Sequence, residues 1–260
     1  MSDPGAAPWL LEARRVSKRF GGLTAVRNVT LQVPEGALYG LIGPNGAGKT
    51  TVFNLLTGVY APTEGDIVFR GEPIHGRRPY EIARAGITRT FQNIRLFSDM
   101  TVLENVMTAR HLRSSQMIVD AIVGTSRHHR EEGETRDRAM HLLSIFGLSA
   151  VADELATSLP YGSQRRLEIA RALATAPRLL LLDEPAAGMN PNEAVALMDT
   201  IRWIRDEFSL TILLVEHNMK VVMGICETIQ VIDHGESIAT GTPAEIQSNP
   251  RVIEAYLGAC

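Results

Sequence analysis

Two segments near the start of the chain alternate between hydrophobic and polar residues. They read "LEARRV" and "VTLQV" within residues 10–33, and the turn sequence "PEG" follows the second. Alternation with a period of two is typical of a strand with one buried face. The pattern predicts two half-exposed antiparallel strands. Farther on, "PTEGDIVFRGEPI" predicts a turn, a third strand and another turn.

Short continuous apolar runs have the length of buried strands. They occupy residues 37–42, 179–183 and 211–215. Helical patterns lie between them: "TTVFNLLTG" with Gly58 as its stop, "RPYEIARAGI" with Pro79 in its first turn and Gly86 at its end, and residues 164–175 and 191–207. Strands that alternate with helices predict an α/β fold with a mainly parallel, helix-covered sheet, beside an antiparallel β subdomain.

The last third of the chain adds three more elements. "ETIQVIDHGESIATG" predicts a strand, a turn at "DHG" and a second strand. Thr242 and Glu245 form a capping box, with Pro243 at the first helical position. We therefore expect a C-terminal helix over residues 241–260.

Residues 101–158 are helical in pattern and highly charged in the middle. We interpret them as part of an α-helical subdomain of about residues 93–175, inserted into one domain that spans residues 1–260. The core of that domain, together with the β subdomain, comprises residues 10–92 and 176–240. His128 and His129 invite a metal-site interpretation, but their charged neighbours of both signs favour a solvated surface.

Composition narrows the functional classes. The chain has 260 residues, a formal net charge of −3 and two cysteines, Cys226 and Cys260. The near-neutral charge gives no support to bulk nucleic-acid binding, and two scattered cysteines suggest neither a disulfide framework nor a zinc site. No apolar run approaches the ~18 residues of a membrane span, and the N-terminus lacks a secretory signal pattern. A membrane role would therefore act through a partner.

Residues 43–50 fit the P-loop pattern G-x-x-x-x-G-K-[ST]. Glycines let the backbone curl so that successive N–H groups surround a phosphate, and the following helix N-terminus favours the same anion. In this pattern Lys49 reaches the β- and γ-phosphates and the Thr50 hydroxyl holds Mg²⁺. The loop predicts a nucleoside triphosphate ligand, and we expect the Lys49 side chain to face solvent.

A second motif, which is acidic, follows a predicted buried strand. In "LLLLDEP", four apolar residues lead to Asp183 and Glu184. Together with a P-loop, this order indicates that Asp183 holds the Mg²⁺ shell and that Glu184 polarises an attacking water.

The stretch "LPYGSQRRLEIARAL", residues 159–173, resembles the signature motif of the ATP-binding cassette (ABC) family. The five signature positions read Leu159, Pro160, Tyr161, Gly162 and Ser163. Other family motifs occur in the expected order, and the resemblance covers about residues 10–258. It implies that the chain is an ATPase with the P-loop ABC cassette fold and with ATP and Mg²⁺ as cofactors.

The resemblance also implies roles for individual residues. Phe20 matches the aromatic that stacks on adenine, Gln92 the glutamine that contacts Mg²⁺ and water, and His217 the switch histidine at the γ-phosphate. Residues 186–190 match the D-loop. The nucleotide-binding set it implies is Phe20, Val26, Asn45, Gly46, Ala47, Gly48, Lys49, Thr50, Thr51, Tyr161, Gly162 and Ser163; the metal set is Thr50, Gln92 and Asp183; the catalytic set is Glu184, His217 and Gln92.

Longer stretches, including "TRTFQNIRLFSDMTVLENV", "DEPAAGMNP" and "EHNM", resemble the ATPase subunits of branched-chain amino-acid importers, the LivG-like group. The ATPases of urea or amide importers and of the lipopolysaccharide exporter share parts of these motifs. A soluble ABC ATPase acting on DNA or ribosomes is a further alternative, which the single P-loop disfavours. A nucleotide-binding regulator that does not hydrolyse ATP is another, which the intact Lys49, Asp183 and Glu184 disfavour.

The resemblance implies partners at the cytoplasmic face of the cell membrane. They are a second ATPase subunit, copy or paralogue, in a head-to-tail nucleotide sandwich, two transmembrane permeases contacted near Gln92 and, indirectly, an extracytoplasmic substrate-binding protein. The family's signature serine is Pro160 here, its first signature glycine is Tyr161, and its D-loop aspartate is Asn190. These departures suggest a signature face that assists its partner weakly, as in a heterodimer with unequal sites.

Overall fold

The computed structural model describes residues 9–110 and 126–257 of the chain. The interpretations of the first eight residues, of the His128 and His129 side chains and of Cys260 lie outside the described positions. The described part divides into two compact units, one of residues 9–89 and 178–257 and one of residues 90–177, which are presented separately.

The first sheet of the larger unit is antiparallel, with strand order β2-β1-β4-β5. Its strands are β1 (Trp9–Phe20), β2 (Leu23–Pro34), β4 (Glu64–Phe69) and β5 (Glu72–Pro73). Buried and exposed residues intermix along β1 and β2, as the alternating pattern predicts, and Val16 pairs with Val29. The predicted antiparallel strands and the strand after "PTEG" are therefore confirmed.

The second sheet has the order β10-β9-β3-β8-β7-β6, and only β10 runs antiparallel to its neighbour. The strands are β3 (Leu38–Ile42), β6 (Ile87–Arg89), β7 (Leu179–Asp183), β8 (Thr211–Val215), β9 (Thr228–Asp233) and β10 (Glu236–Gly241). Every residue of β3, β7 and β8 is buried, which explains their unbroken apolar sequences. Because these strands are parallel, the loops at their carboxyl ends share one edge.

Helices of the larger unit are α1 (Lys49–Leu56), α2 (Pro79–Ala85), α6 (Pro191–Phe208), α7 (Met219–Ile225), α8 (Pro243–Ser248) and α9 (Pro250–Leu257). The predicted starts at Pro79, Pro191 and Pro243 are confirmed. The single helix expected over 241–260 is wrong: Asn249 ends α8, and α9 starts afresh at Pro250. Proline lacks the N–H that a continuous helix would need there.

The hydrophobic core of this unit joins both sheets through α1. Phe53 of α1, Leu31 of β2 and Leu41 of β3 belong to one buried cluster. Cys226 is a buried free thiol, and burial raises its pKa to about 12.

The second unit is helical in its described residues. It contains α3 (Val102–Arg110), α4 (Ser126–Ile145), α5 (Tyr161–Ala174) and two 3₁₀ turns, Ser149–Val151 and Ala156–Ser158. Val106, Leu143 and Leu167 are fully buried. Helix α5 starts three residues earlier than the predicted position 164, directly after Pro160. Among the described helices, none is long and apolar enough to cross a membrane.

Candidate functional site

Two glycines give the loop between β3 and α1 its shape. Gly43 has a φ of 156°, and a Cβ atom there would lie 1.9 Å from the carbonyl oxygen of Ile232. Gly48 has a φ of 103°, and a Cβ there would lie 2.6 Å from the carbonyl oxygen of Ala25. Any other residue at either position would meet fixed backbone, so the tight loop requires glycine.

Neighbouring elements hold the P-loop in place. The N–H of Gly235, in the turn between β9 and β10, donates to the carbonyl of Ala47 at 3.0 Å. Val26, which the resemblance placed among the nucleotide contacts, is fully buried in the core beneath Gly48. It presents no exposed surface to a ligand and instead supports the loop.

Lys49 is buried, so the expectation that it faces solvent is wrong. Its Nζ donates to the carbonyl oxygens of Gly43 at 2.6 Å and Pro44 at 2.9 Å. Burial lowers the pKa of Lys49, and the nearby carboxylates of Glu184 and Asp183 partly oppose this shift. The ammonium is thus held inside the curl of its own loop, where a phosphate would compete for it.

In contrast to the buried Lys49, the threonine hydroxyls in the first turn of α1 lie at or near the surface. Thr50 is exposed and Thr51 is half-buried, and Asn45 and Gly46 are also exposed at the surface of the loop. Exposed N–H and hydroxyl groups at a helix N-terminus suit an anion and its counter-cation.

Asp183 lies buried at the carboxyl end of β7. Arg89, at the end of β6, donates from Nη2 to its Oδ2 at 2.7 Å, and from Nη1 to Oδ1 of Asn54 at 2.6 Å. The Arg89 guanidinium also lies 5.4 Å from the centre of the Phe53 ring. Sequence reasoning missed Arg89, whose strand of three residues is too short for a periodic signal.

The donor set fits Mg²⁺. The Thr50 hydroxyl and the Asp183 carboxylate are hard oxygen donors, and Mg²⁺ in phosphate sites is commonly bound by one or two carboxylates together with substrate phosphates. Arg89 Nη2 already lies 2.7 Å from Asp183 Oδ2, so this carboxylate has a positively charged neighbour.

Glu184 and His217 approach each other across the ends of β7 and β8. Glu184 has a left-handed backbone with a φ of 49°, and its N–H donates to the carbonyl of Val215 at 2.8 Å. His217 Nδ1 lies 3.6 Å from Glu184 Oε2. The two predicted catalytic groups are therefore brought together, although one follows the other by 33 positions in the sequence.

Phe20 is a partly exposed aromatic at the end of β1. Its ring packs edge-on against Tyr60 with centroids 5.1 Å apart, and Lys18 Nζ lies 5.1 Å from the ring centre. Phe20 is outside the core cluster, so it is free of the packing role that a buried phenylalanine would have. A face of this kind suits base stacking.

The signature residues lie in the second unit, at the start of α5. Pro160 is the N-cap residue and makes no side-chain cap hydrogen bond, and Tyr161 is nearly half exposed. Ser163 Oγ accepts a hydrogen bond from Arg166 at 3.0 Å. The first turn of α5 therefore offers backbone N–H groups without a capping side chain.

A buried ion pair on α5 holds the chain around Gln92. Arg165 donates to the backbone carbonyls of Phe91, at 2.6 Å, and Gln92, and lies 3.1 Å from Glu168. Glu168 in turn accepts from the N–H of Phe91 at 3.2 Å. Gln92 itself is exposed. In the sequence, nothing beyond the signature motif distinguishes the arginines of this helix.

Asn190, at the D-loop position, has a structural task. Its side chain accepts from the N–H groups of Asn192 and Glu193, both at 3.0 Å, and caps α6. The replacement of the usual aspartate therefore retains the cap.

Comparison with known families bears on the fold and on the class of enzyme. Residues 26–187 match the model of the family described as "ABC transporter", which is more than half of the chain. The chain belongs to the ABC transporter family. The predicted α/β P-loop cassette fold and the predicted class of enzyme, an ATPase of a transport system, are confirmed, and ATP is its nucleotide.

Relatives of this ABC ATPase resemble it over nearly its whole length. Residues 236–259 match the model described as "Branched-chain amino acid ATP-binding cassette transporter". The high-affinity branched-chain amino acid transport ATP-binding protein LivG of Salmonella typhimurium is 49% identical over 258 residues, 99% of each chain. The predicted resemblance to the LivG-like group is confirmed.

Solved structures share the cassette fold. The ADP conformation of MJ1267, an ATP-binding cassette of an ABC transporter, is 29% identical with a TM-score of 0.83, covering 96% of this chain and 99% of that one. The dimeric structure of MJ0796, a bacterial ABC transporter cassette, is 25% identical with a TM-score of 0.77, covering 90% and 98%.

Proposed function

We propose that this ABC ATPase powers the import of branched-chain or other hydrophobic amino acids through partner permeases. The observation that carries the proposal is the 49% identity with LivG across 99% of both chains. The C-terminal residues 236–259 support the same cargo class, because they match a model named for branched-chain amino acid transport.

The P-loop binds the β- and γ-phosphates. Its backbone N–H groups surround the anion, and Lys49 exchanges its two carbonyl partners for phosphate oxygens. The Thr50 hydroxyl and the Asp183 carboxylate would hold Mg²⁺, which would neutralise phosphate charge. Phe20 stacks on the adenine ring.

Hydrolysis depends on the Glu184–His217 pair. Glu184 accepts the proton of the attacking water, and His217 orients toward the γ-phosphate. His217 Nδ1 lies 3.6 Å from Oε2 of Glu184, so the histidine is next to the carboxylate that acts on the water in this scheme. Lys49 stabilises the charge that spreads over the transferring phosphoryl group.

The roles of Gln92, Tyr161, Gly162 and Ser163 rest on the family resemblance. Gln92 links Mg²⁺ and the attacking water to the helical subdomain. The signature turn serves the ATP bound by a second ATPase subunit in a head-to-tail sandwich, and the dimeric MJ0796 cassette supports such pairing. The chain then acts at the cytoplasmic face of the membrane, on two permeases supplied by an extracytoplasmic binding protein.

Urea or amide import and lipopolysaccharide export are the alternative transport functions. Each predicts a different cargo for the same ATPase chemistry. They differ experimentally in which transport activity disappears when the chain is inactivated.

An uptake assay in a strain lacking the chain tests the proposal. Wild type should restore uptake of radiolabelled leucine, and Glu184→Gln should not. Glu245→Gln is the matched control, because it makes the same chemical change at an exposed capping carboxylate of α8. Normal leucine uptake in the deletion strain, with lost urea uptake or lost surface lipopolysaccharide, would overturn the amino-acid assignment.

A further inference from the structure

Glu216 is a fully buried carboxylate that the scheme above does not use. It directly follows the buried strand β8 and has no exposed surface. A charged residue is rarely this buried unless its oxygen atoms have hydrogen-bond partners.

The carboxylate of Glu216 accepts backbone N–H groups from two loops. Oε1 accepts from the N–H of Ala186 at 2.8 Å. Oε2 accepts from the N–H of His217 at 3.2 Å and of Asn218 at 3.3 Å. Burial raises the pKa of Glu216, and these three N–H groups oppose the shift by favouring the ionised form.

These partners lie beside the two predicted catalytic groups. Ala186 is two residues after Glu184, and His217 is itself one of the donors. Asn218 caps α7 by accepting from the N–H of Lys220 at 3.1 Å. The Glu216 side chain therefore ties the loop after β7 to the loop after β8, at the level of the Glu184–His217 contact.

We propose that Glu216 is a positioning residue for ATP hydrolysis, which fixes the two loops together so that Glu184 and His217 act on the same water and phosphate. This inference rests on the proposed roles of Glu184 and His217. Because Glu216 has no exposed surface, it does not directly contact nucleotide or the attacking water in this scheme. Its contribution is the alignment of the two groups that do.

The isosteric change Glu216→Gln tests this role. An amide keeps the size of the side chain but presents an NH₂ group to one set of N–H donors, so one of the two loops loses its acceptor. Misplacement of a reacting group by about 1 Å costs on the order of 100-fold in rate. We expect kcat of the assembled ATPase to fall by about 10- to 100-fold, with ATP affinity within about twofold of wild type.

Three comparisons separate positioning from mere stability. Glu245→Gln makes the same chemical change at an exposed cap and should leave kcat and the KM for ATP unchanged. Amide hydrogen exchange at Ala186, His217 and Asn218 should rise in Glu216→Gln, while the P-loop amides keep their protection. The double variant Glu184→Gln/Glu216→Gln should be no slower than Glu184→Gln, because both changes affect one chemical step.

Clear outcomes overturn the inference. A folded Glu216→Gln protein with wild-type kcat would do so, as would equal losses in kcat and ATP affinity. Should Glu216→Gln not fold, Glu216→Asp takes its place: it keeps the charge but is one methylene too short to span both loops, and it should show the same selective loss of kcat. Wild-type hydrolysis by Glu184→Gln would instead refute the proposed catalytic role, independently of Glu216.

Discussion

The P-loop and the signature turn of α5 are built in opposite ways. The P-loop is closed around a buried lysine and is fixed by glycines that lie against the backbone of Ala25 and Ile232. The signature turn begins at Pro160 without a side-chain cap, and Tyr161 beside it is nearly half exposed. The P-loop is thus held in shape by its own backbone contacts, whereas the first turn of α5 begins without a capping side chain.

The uncapped and partly exposed structure is confined to the first turn of α5. Deeper in the same helix, Arg165 is buried and binds the carbonyls of Phe91 and Gln92. The helix is therefore anchored at Arg165, close to the departures at Pro160 and Tyr161.

The largest effect is expected from Lys49→Met, which removes the only charge inside the P-loop pattern. Hydrogen bonds to charged groups contribute about 1.5–3 kcal/mol each, so affinity for Mg-ATP should fall roughly 10- to 100-fold or more, and ATPase activity should be lost. Isothermal titration and circular dichroism measure both quantities. Unchanged affinity with a native spectrum would contradict the P-loop assignment.

The same variant has a stability signature. Since burial lowers the pKa of Lys49 below its ordinary value of 10.5, the unfolded chain holds this proton more tightly than the folded chain. Without nucleotide, the stability of wild type relative to Lys49→Met should therefore increase as the pH rises toward 10.5. Urea unfolding of both proteins across that pH range measures the difference, and a decrease would contradict the burial argument.

Arg89→Met should mainly reduce stability. Removing one partner of a buried ion pair costs about 3–5 kcal/mol, because a carboxylate loses a charged neighbour in the core. Arg27→Met is the control, since its ion pair with Glu236 is exposed and should matter by less than about 1 kcal/mol. Equal urea midpoints for the two variants would show that the Arg89–Asp183 contact contributes little.

Phe20→Ala should weaken ATP binding by about 1–3 kcal/mol, the usual contribution of an aromatic stack on a base. Trp203→Ala is a control, because Trp203 is similarly exposed on α6 and packs edge-on against Phe208. Titration with ATP and with inorganic triphosphate distinguishes the adenine contact from the phosphate contacts, since only ATP binding should change in Phe20→Ala. Normal ATP binding would place the stacking residue elsewhere.

The smallest effect is expected at the signature turn. Pro160→Ser restores a hydroxyl at the N-cap of α5, where serine is a favoured residue. ATPase activity of the assembled pair should rise modestly or stay constant, measured by phosphate release at saturating Mg-ATP. A sharp loss of activity in the folded variant would show that the proline shapes the turn. The interpretation that this signature face assists its partner only weakly would then be wrong.

Local sequence patterns predicted most of the fold. The buried strands at 179–183 and 211–215 have their predicted bounds, because unbroken apolar runs flanked by polar residues leave little choice. Helix α7 was missed, although Asn218 before "MKVVMGI" is a capping signal that would have located it. Strand β6 was missed because three residues carry no period.

The missed site residues depend on contacts between distant positions. Arg89 meets Asp183 94 positions later, and Glu216 meets Ala186 30 positions earlier. Neither pairing leaves a local pattern. The signal that was present is an acid directly after a buried apolar strand: it identified Asp183, and it applies equally to Glu216. Lys49 was placed in solvent because the motif gives no information on where its side chain lies without nucleotide.

The most direct test of this account uses Glu184→Gln, which keeps the shape of the side chain and removes its charge. Light scattering is recorded with Mg-ATP and with ADP, for the variant alone and mixed with its candidate partner ATPase. The account predicts an ATP-dependent dimer that does not hydrolyse its nucleotide, since only hydrolysis reopens the pair; a dimer of the variant alone indicates a homodimer, and one seen only in the mixture indicates a heterodimer. Full hydrolysis by the variant, or a monomer under every condition with ATP bound, would contradict it.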